Sequence, residues 1–208
     1  MEYQIIVVGI GPGSPDYVLP IASRIIAGAK VLVGSKRALD SFSSANQVSR
    51  IIDKDIQGVL DFIGQHLACQ DVIVLVSGDP GFYSMLTALR GRFAPERIRV
   101  IPGISSVQLA FARLAEVWQD AALISMHGRK AADEQLRYRP GYKVGILTDH
   151  QHNPAQIARM LLAQGWPGTA CVWLCTNLSY DNEVVAALTL AEAVATPGFE
   201  HSVMVVKA

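Results

Sequence analysis

In the first half of the chain two segments are apolar without a break: "IIVV" within "YQIIVVGI" (3–10) and "VIVLV" within "DVIVLVSG" (71–78). Successive residues of a strand point to opposite faces, so a strand with one wet face alternates apolar with polar. An unbroken apolar run needs cover on both faces, which helices on either side of a mainly parallel sheet supply. Shorter runs of the same kind, "KVLVG" (30–34), "VSRII" (48–52) and "IRVIPG" (98–103), are separated by segments of helical period. Those helices are expected over 17–29, over 56–68, from about Tyr83, and from about Ser105 to Ala115.

After "EVWQD" (116–120) the pattern restarts. Strands are expected at "AALISMHG" (121–128), "YKVGILTD" (142–149), "TACVWLCTN" (169–177) and "HSVMVVKA" (201–208). A helix over 153–165 has Asn153 before Pro154 as its start and Gly165 as its stop. The more hairpin-like spacing predicts a mixed sheet. The fold class is therefore α/β in two domains, 1–116 and 117–208.

Eighteen basic residues balance eighteen acidic ones, and half the chain is apolar. That balance offers no electrostatic footprint for nucleic acid or an anionic membrane, so an anionic ligand must be met by locally placed cations. "MEYQ" lacks the basic start and apolar core of a signal peptide, and no apolar stretch approaches a membrane span, which predicts a cytoplasmic protein. Cys69, Cys171 and Cys175 form no disulfide framework and no metal-ligand pattern; they read as buried, reduced thiols.

The first strand runs into "GIGPGSPD" (9–16). A dinucleotide fingerprint requires G-x-G-x-x-G and an acid about 20 positions on. Here the glycines are Gly9, Gly11 and Gly13, interrupted by Pro12, and the later stretch "GAKVLVGSKRAL" offers Lys30, Lys36 and Arg37 instead. The Gly-Lys-Ser/Thr of a phosphate loop is absent. "VSGDPGFYS" and "VIPGISSVQLA" also follow strands, and ligands of open α/β sheets bind beyond carboxyl strand ends. Three glycine/proline turns at three such ends point to one shared site, although such turns also simply end strands.

In this order, Gly9-Ile10-Gly11-Pro12-Gly13, Gly78-Asp79-Pro80-Gly81-Phe82 and Pro102-Gly103-Ile104-Ser105-Ser106 resemble the GxGPG, GDPxxY/F and PGxSS motifs of the tetrapyrrole (corrin/porphyrin) methyltransferases. The resemblance covers essentially the whole chain. "SMHGR" and "ILTDHQHNPAQIARMLLAQG" look like the branch that methylates C5 of a precorrin or cobalt-precorrin in cobalamin biosynthesis. It implies two α/β domains with an S-adenosylmethionine cleft between them, S-adenosylhomocysteine as product, no metal, and a homodimer. Some relatives carry a fused unit that decarboxylates the ring and methylates C15. No second copy of that unit's glycine motif is present here, so C5 methylation alone is expected, with a separate C15-methyltransferase/decarboxylase as a possible partner.

Carried over by motif, the resemblance implies cofactor contacts at Pro12, Ser77, Gly78, Asp79, Phe82, Ser105, Ser106, Thr148 and Leu178. Asp79 is the candidate partner for the cofactor's sulfonium and ammonium; capping its own turn before Pro80 is the plainer role. Where relatives read Cys-Glu-Asn-Leu, this chain has Thr176 in place of the glutamate. The substrate carries many carboxylates, for which Arg129 is the leading partner, with Lys36 and Arg37 as further cations and Tyr83 beside the ring. His127 is a candidate base for the proton that leaves C5. Two other readings stay open: methylation of another ring carbon or of a non-tetrapyrrole substrate such as the modified histidine of a translation factor, and a non-catalytic nucleotide-binding or regulatory module.

Overall fold

The computed structural model describes residues 2–199 and 202–208. The chain forms two compact units, one ending at Ser105 and one beginning at Ser106. In the first, β1 (Ile5–Gly9), α1 (Pro20–Ala27), β2 (Val31–Gly34), α2 (Lys36–Phe42), β3 (Val48–Ile51), α3 (Ile56–His66), β4 (Val72–Val76), α4 (Leu86–Arg92) and β5 (Ile98–Ile101) follow one another. The strands lie in the order β3-β2-β4-β1-β5, and every pairing is parallel.

The unbroken apolar runs are inner strands, and every residue of β1, β2 and β4 is buried. Ile5, Val7, Val72 and Val74 pack with Val59 and Ile63 of α3 and Leu89 of α4. Ile6, Val8, Ile73 and Leu75 pack with Ala22 and Ile26 of α1 and Leu39 of α2. Each such side chain contributes about 1.5–3 kcal/mol on leaving water, so two-sided cover is what holds this sheet. Because β4, β1 and β5 are neighbours, the turns that follow them emerge side by side.

The second unit runs α5 (Ser106–Arg113), β6 (Ala121–Ser125), α6 (Asp133–Leu136), β7 (Lys143–Leu147), α7 (Pro154–Ala163), β8 (Cys171–Thr176), β9 (Val184–Thr189), α8 (Leu190–Ala195) and β10 (Val203–Lys207). Its sheet is mixed, in the order β6-β7-β10-β8-β9, with β6 and β7 parallel and the remaining pairs antiparallel. Ile157 and Leu161 of α7 and Leu190 of α8 join Ile146, Val172, Leu174 and Met204 in its core. On β7, Gly145 leaves room for α5: a Cβ there would lie 2.9 Å from Phe111 and 3.2 Å from Val107.

That packing moves the expected boundary. The division falls at 105/106 rather than 116/117, because α5 seats the fully buried Phe111 on the second sheet. Two helices also start later than expected. The chain makes a short 3₁₀ turn at Pro15–Tyr17 before α1 begins at Pro20. The helix expected from Tyr83 begins at Leu86, because Tyr83 is left-handed (φ 51°) and the Ser84 hydroxyl accepts from the Leu86 amide at 3.1 Å.

Four elements were not anticipated: α2, α6, β9 and α8. "TLAE" held the signal for α8, a capping box in which the Thr189 hydroxyl accepts from the Glu192 amide and the Glu192 carboxylate accepts from the Thr189 amide. The His201 end of the expected last strand lies outside the described residues. Of the thiols only Cys175 is buried, where desolvation and then the Glu183 charge push it up to about 12; Cys69 and Cys171 are exposed, contrary to the buried reading. Among the described residues no helix is long and apolar enough to cross a membrane.

Candidate active site

The glycines of the three turns in the first unit are explained first by one another. A Cβ on Gly9 would stand 2.6 Å from the Gly78 carbonyl oxygen and 2.7 Å from the Gly103 nitrogen, and one on Gly103 would overlap the same carbonyl. The backbones after β1, β4 and β5 therefore meet where any side chain would separate them. Gly11 and Gly78 take φ of 75° and 71°, form an isolated bridge, and join through the Gly78 amide and the Gly11 carbonyl at 2.8 Å. The result is a rigid junction built from main chain, with Ser77 exposed, Pro12, Asp79 and Phe82 half-buried, and Gly78 and Ser105 buried.

Asp79 fastens this junction. One carboxylate oxygen accepts from the Gly81 amide at 2.7 Å and the other from the Gly103 amide at 3.0 Å, joining the second turn to the third. The turn-capping role is thus present in full, and a cofactor contact would have to be made by the same two oxygens. Asp79→Ala strips the Gly103 N–H of its acceptor, so stability should fall by about 1–3 kcal/mol in urea unfolding. An unchanged unfolding midpoint would show that the junction does not depend on this carboxylate.

The two basic residues after β2 differ. Lys36 pairs with Asp40 on the exposed face of α2, a pair worth only a few tenths of a kcal/mol (about 0.3–0.5). Arg37 donates to the Ser77 hydroxyl at 3.2 Å, so it belongs to the group around the turns. Tyr83, also strained into the left-handed region, is exposed and meets Phe82 edge-on with ring centroids 4.8 Å apart.

The second unit holds the remaining predicted residues: Ser106 at the start of α5, then His127, Arg129, Thr148 and Leu178. Thr148 is buried, and its hydroxyl donates to the Ser202 carbonyl at 2.8 Å while accepting from the Ser202 amide at 2.9 Å. Its side chain is therefore already committed. His127 Nδ1 donates to the Thr148 carbonyl at 3.2 Å, since that oxygen can only accept; in the neutral ring Nε2 is then the acceptor nitrogen, the tautomer a base requires. Arg129 is exposed on the loop that follows.

Asp149, which sequence reasoning passed over, anchors this loop. Burial would raise its carboxyl, but amides from His152, Gly128 and Gln151, at 2.6, 2.7 and 2.8 Å, together hold it well below the ordinary carboxylate range. Leu178, also buried, lies between Asn177 and Ser179, both with positive φ (52° and 77°). Such strain persists only where neighbours enforce it. Glu183 does so, accepting from the Ser179 amide at 2.7 Å while ion-paired with Arg113 of α5. Among the described residues the buried Thr176 hydroxyl oxygen, beside this loop, has no hydrogen-bond partner. Among the described residues no group of three or more His, Cys, Asp or Glu could hold a metal ion.

Residues 4–194 match the family model described as Tetrapyrrole (Corrin/Porphyrin) Methylases. The cobalt-precorrin-7 C(5)-methyltransferase of Salmonella typhimurium is 37% identical over 177 residues, covering 85% of this chain and 86% of that protein. The probable cobalt-precorrin-7 C(5)-methyltransferase of Methanocaldococcus jannaschii is 30% identical over 198 residues, covering 91% and 90%. A solved structure titled as a cobalamin biosynthesis precorrin-6Y methylase from Archaeoglobus fulgidus superposes with a TM-score of 0.73 at 26% identity, over 98% of this chain and 97% of that one. With its parallel sheet, its mixed sheet and its three junction turns in motif order, this chain belongs to the tetrapyrrole (corrin/porphyrin) methylases.

Proposed function

We propose that this chain is a C-methyltransferase that uses S-adenosylmethionine to methylate C5 of a precorrin or cobalt-precorrin in cobalamin biosynthesis. The observation that carries the reading is the main-chain junction of Gly9, Gly78 and Gly103, fastened by Asp79, at the turns that also carry Pro12, Ser77, Phe82 and Ser105. The relatives named for C5 methylation support the ring position.

The donor set suits a ligand that carries both charge and polar groups. The unpartnered Thr176 hydroxyl, next to the constrained Leu178 loop, is a buried polar atom for which such a ligand supplies a partner. Pro12, Ser77, Gly78, Asp79, Phe82, Ser105, Ser106, Thr148 and Leu178 would hold the methyl donor. The sulfonium supplies an already activated methyl, so the transfer calls for neither a metal nor a covalent enzyme intermediate. The chain's own task is alignment, worth up to about 7–11 kcal/mol where the geometry is good.

Arg129 meets a ring carboxylate, with Arg37 and Lys36 as further cations and Tyr83 against the ring. His127, in the tautomer set by Thr148, takes the proton released at C5. The protein acts in the cytoplasm as a homodimer.

Calorimetric titration tests the donor assignment. S-adenosylhomocysteine should bind with a chelator present, and NAD and ATP should not. Failure to bind S-adenosylhomocysteine, or binding that a chelator abolishes, would contradict the reading.

A further inference from the structure

We propose that Asp149 is a positioning residue for substrate recognition, tethering the His127–Gly128–Arg129 loop to the end of β7 so that Arg129 is held ready for a ring carboxylate; this rests on the proposed tetrapyrrole reading. The loop leaves β6 through Met126, whose amide donates to the Leu147 carbonyl at 2.9 Å. His127 is fixed through its ring to the Thr148 carbonyl. Gly128 then turns the chain with φ 66°, and nothing lies within 4 Å of where a Cβ would stand. Here the Gly128 amide donates to Asp149 Oδ2 at 2.7 Å, immediately before Arg129. The other oxygen, Oδ1, serves a different segment, the amides of Gln151 at 2.8 Å and His152 at 2.6 Å. A carboxylate that is 4% exposed thus divides its two oxygens between the loop it tethers and the turn that supports it.

This division makes Asp149→Asn selective. An asparagine offers one acceptor oxygen and one NH₂. Turned so that the oxygen keeps the two amides of Gln151 and His152, it sets its own donors against the Gly128 N–H. The supporting turn survives and Gly128 and Arg129 are released, while His127 keeps its own bond to the Thr148 carbonyl. Arg129 would then spend part of its time away from the substrate, and recognition weakens by about tenfold, the upper end of what one hydrogen bond contributes. Binding of the methyl donor is untouched, because the loop holds none of the residues assigned to it.

The experiment combines hydrogen exchange with a double-mutant cycle on the full chain. In the unsubstituted protein the Gly128 amide should be protected to the same degree as those of Gln151 and His152. In Asp149→Asn it should exchange quickly while the other two stay protected. The KM for the tetrapyrrole should rise about tenfold, with kcat and the Kd of S-adenosylhomocysteine within about twofold, and adding the substitution to Arg129→Ala should cause no further rise, as expected for two residues in one unit of recognition.

The proposal is overturned if the Gly128 amide is unprotected in the unsubstituted protein, a measurement that needs no variant. It is equally overturned if the KM effect persists in the Arg129→Ala background, or if cofactor affinity falls in step. An unsubstituted chain that binds S-adenosylhomocysteine yet methylates no tetrapyrrole would overturn the substrate role and the proposed function together, while protection of Gly128 would still establish the tether.

Discussion

Gly103→Ala is expected to cost at least about 3 kcal/mol of stability and to abolish binding of S-adenosylhomocysteine. The added methyl would overlap the Gly78 carbonyl oxygen and stand 2.8 Å from the Gly9 Cα. These are main-chain atoms of buried strand ends and cannot swing aside as a flexible side chain could. Overpacking a well-packed interior typically costs about 1–3 kcal/mol, and more where backbone must move. The same displacement pulls the Gly103 amide from Asp79, undoing the link between the second and third turns. Gly91→Ala is the matched control: it lies within α4 with nothing within 4 Å of a Cβ, so it should stabilise by about 0.5–1 kcal/mol through helix propensity. Equal urea midpoints for the two variants would show that the junction is looser than the packing describes.

Phe111→Ala is expected to destabilise by about 3–5 kcal/mol, the usual cost of removing a fully buried ring. The loss should be felt in the second sheet, because the Phe111 ring occupies the space that Gly145 leaves on β7. Amides of β7 and β10 should lose exchange protection, while those of β1 and β4 keep theirs. Loss confined to β1 and β4 would instead return α5 to the first unit and restore a boundary near 116.

Much of this architecture is legible in the chain because it rests on local pattern. The unbroken apolar runs of the first half are inner parallel strands, and Asn153, Pro154 and Gly165 bound α7 as their chemistry requires. What stayed hidden depends on contacts distant in sequence. "SSVQLAFAR" reads as a helix, but nothing in it tells which sheet Phe111 will meet; the deciding residue is Gly145, more than thirty positions later. β9 escaped notice although "VVAALT" is an apolar run of strand length; it is an edge strand that pairs with β8 and leaves Val184 and Val185 exposed.

The site divides in the same way. The three turns are recognisable by motif, yet their glycines suggest backbone opened toward a ligand, whereas Gly9, Gly78 and Gly103 are spent first on one another. The sequence allows Asp79 to act as cap or as charge, and only the distances to Gly81 and Gly103 reveal the first role. The tether at Asp149 could have been suspected from "TDH" closing a buried strand, since an acid buried there needs donors. Their source in Gly128, 21 positions earlier, could not.

The most direct measurement is the fate of a ¹³C-labelled methyl group. The purified chain is incubated with cobalt-precorrin-7, and separately with its metal-free counterpart, together with S-adenosylmethionine labelled in its methyl carbon. Mass spectrometry and carbon NMR then follow the product. One labelled methyl on C5, with the ring's acetate side chains intact and S-adenosylhomocysteine formed in equal amount, is the result expected. A label at another ring carbon, or no transfer to either ring by a chain that binds S-adenosylhomocysteine, would contradict it.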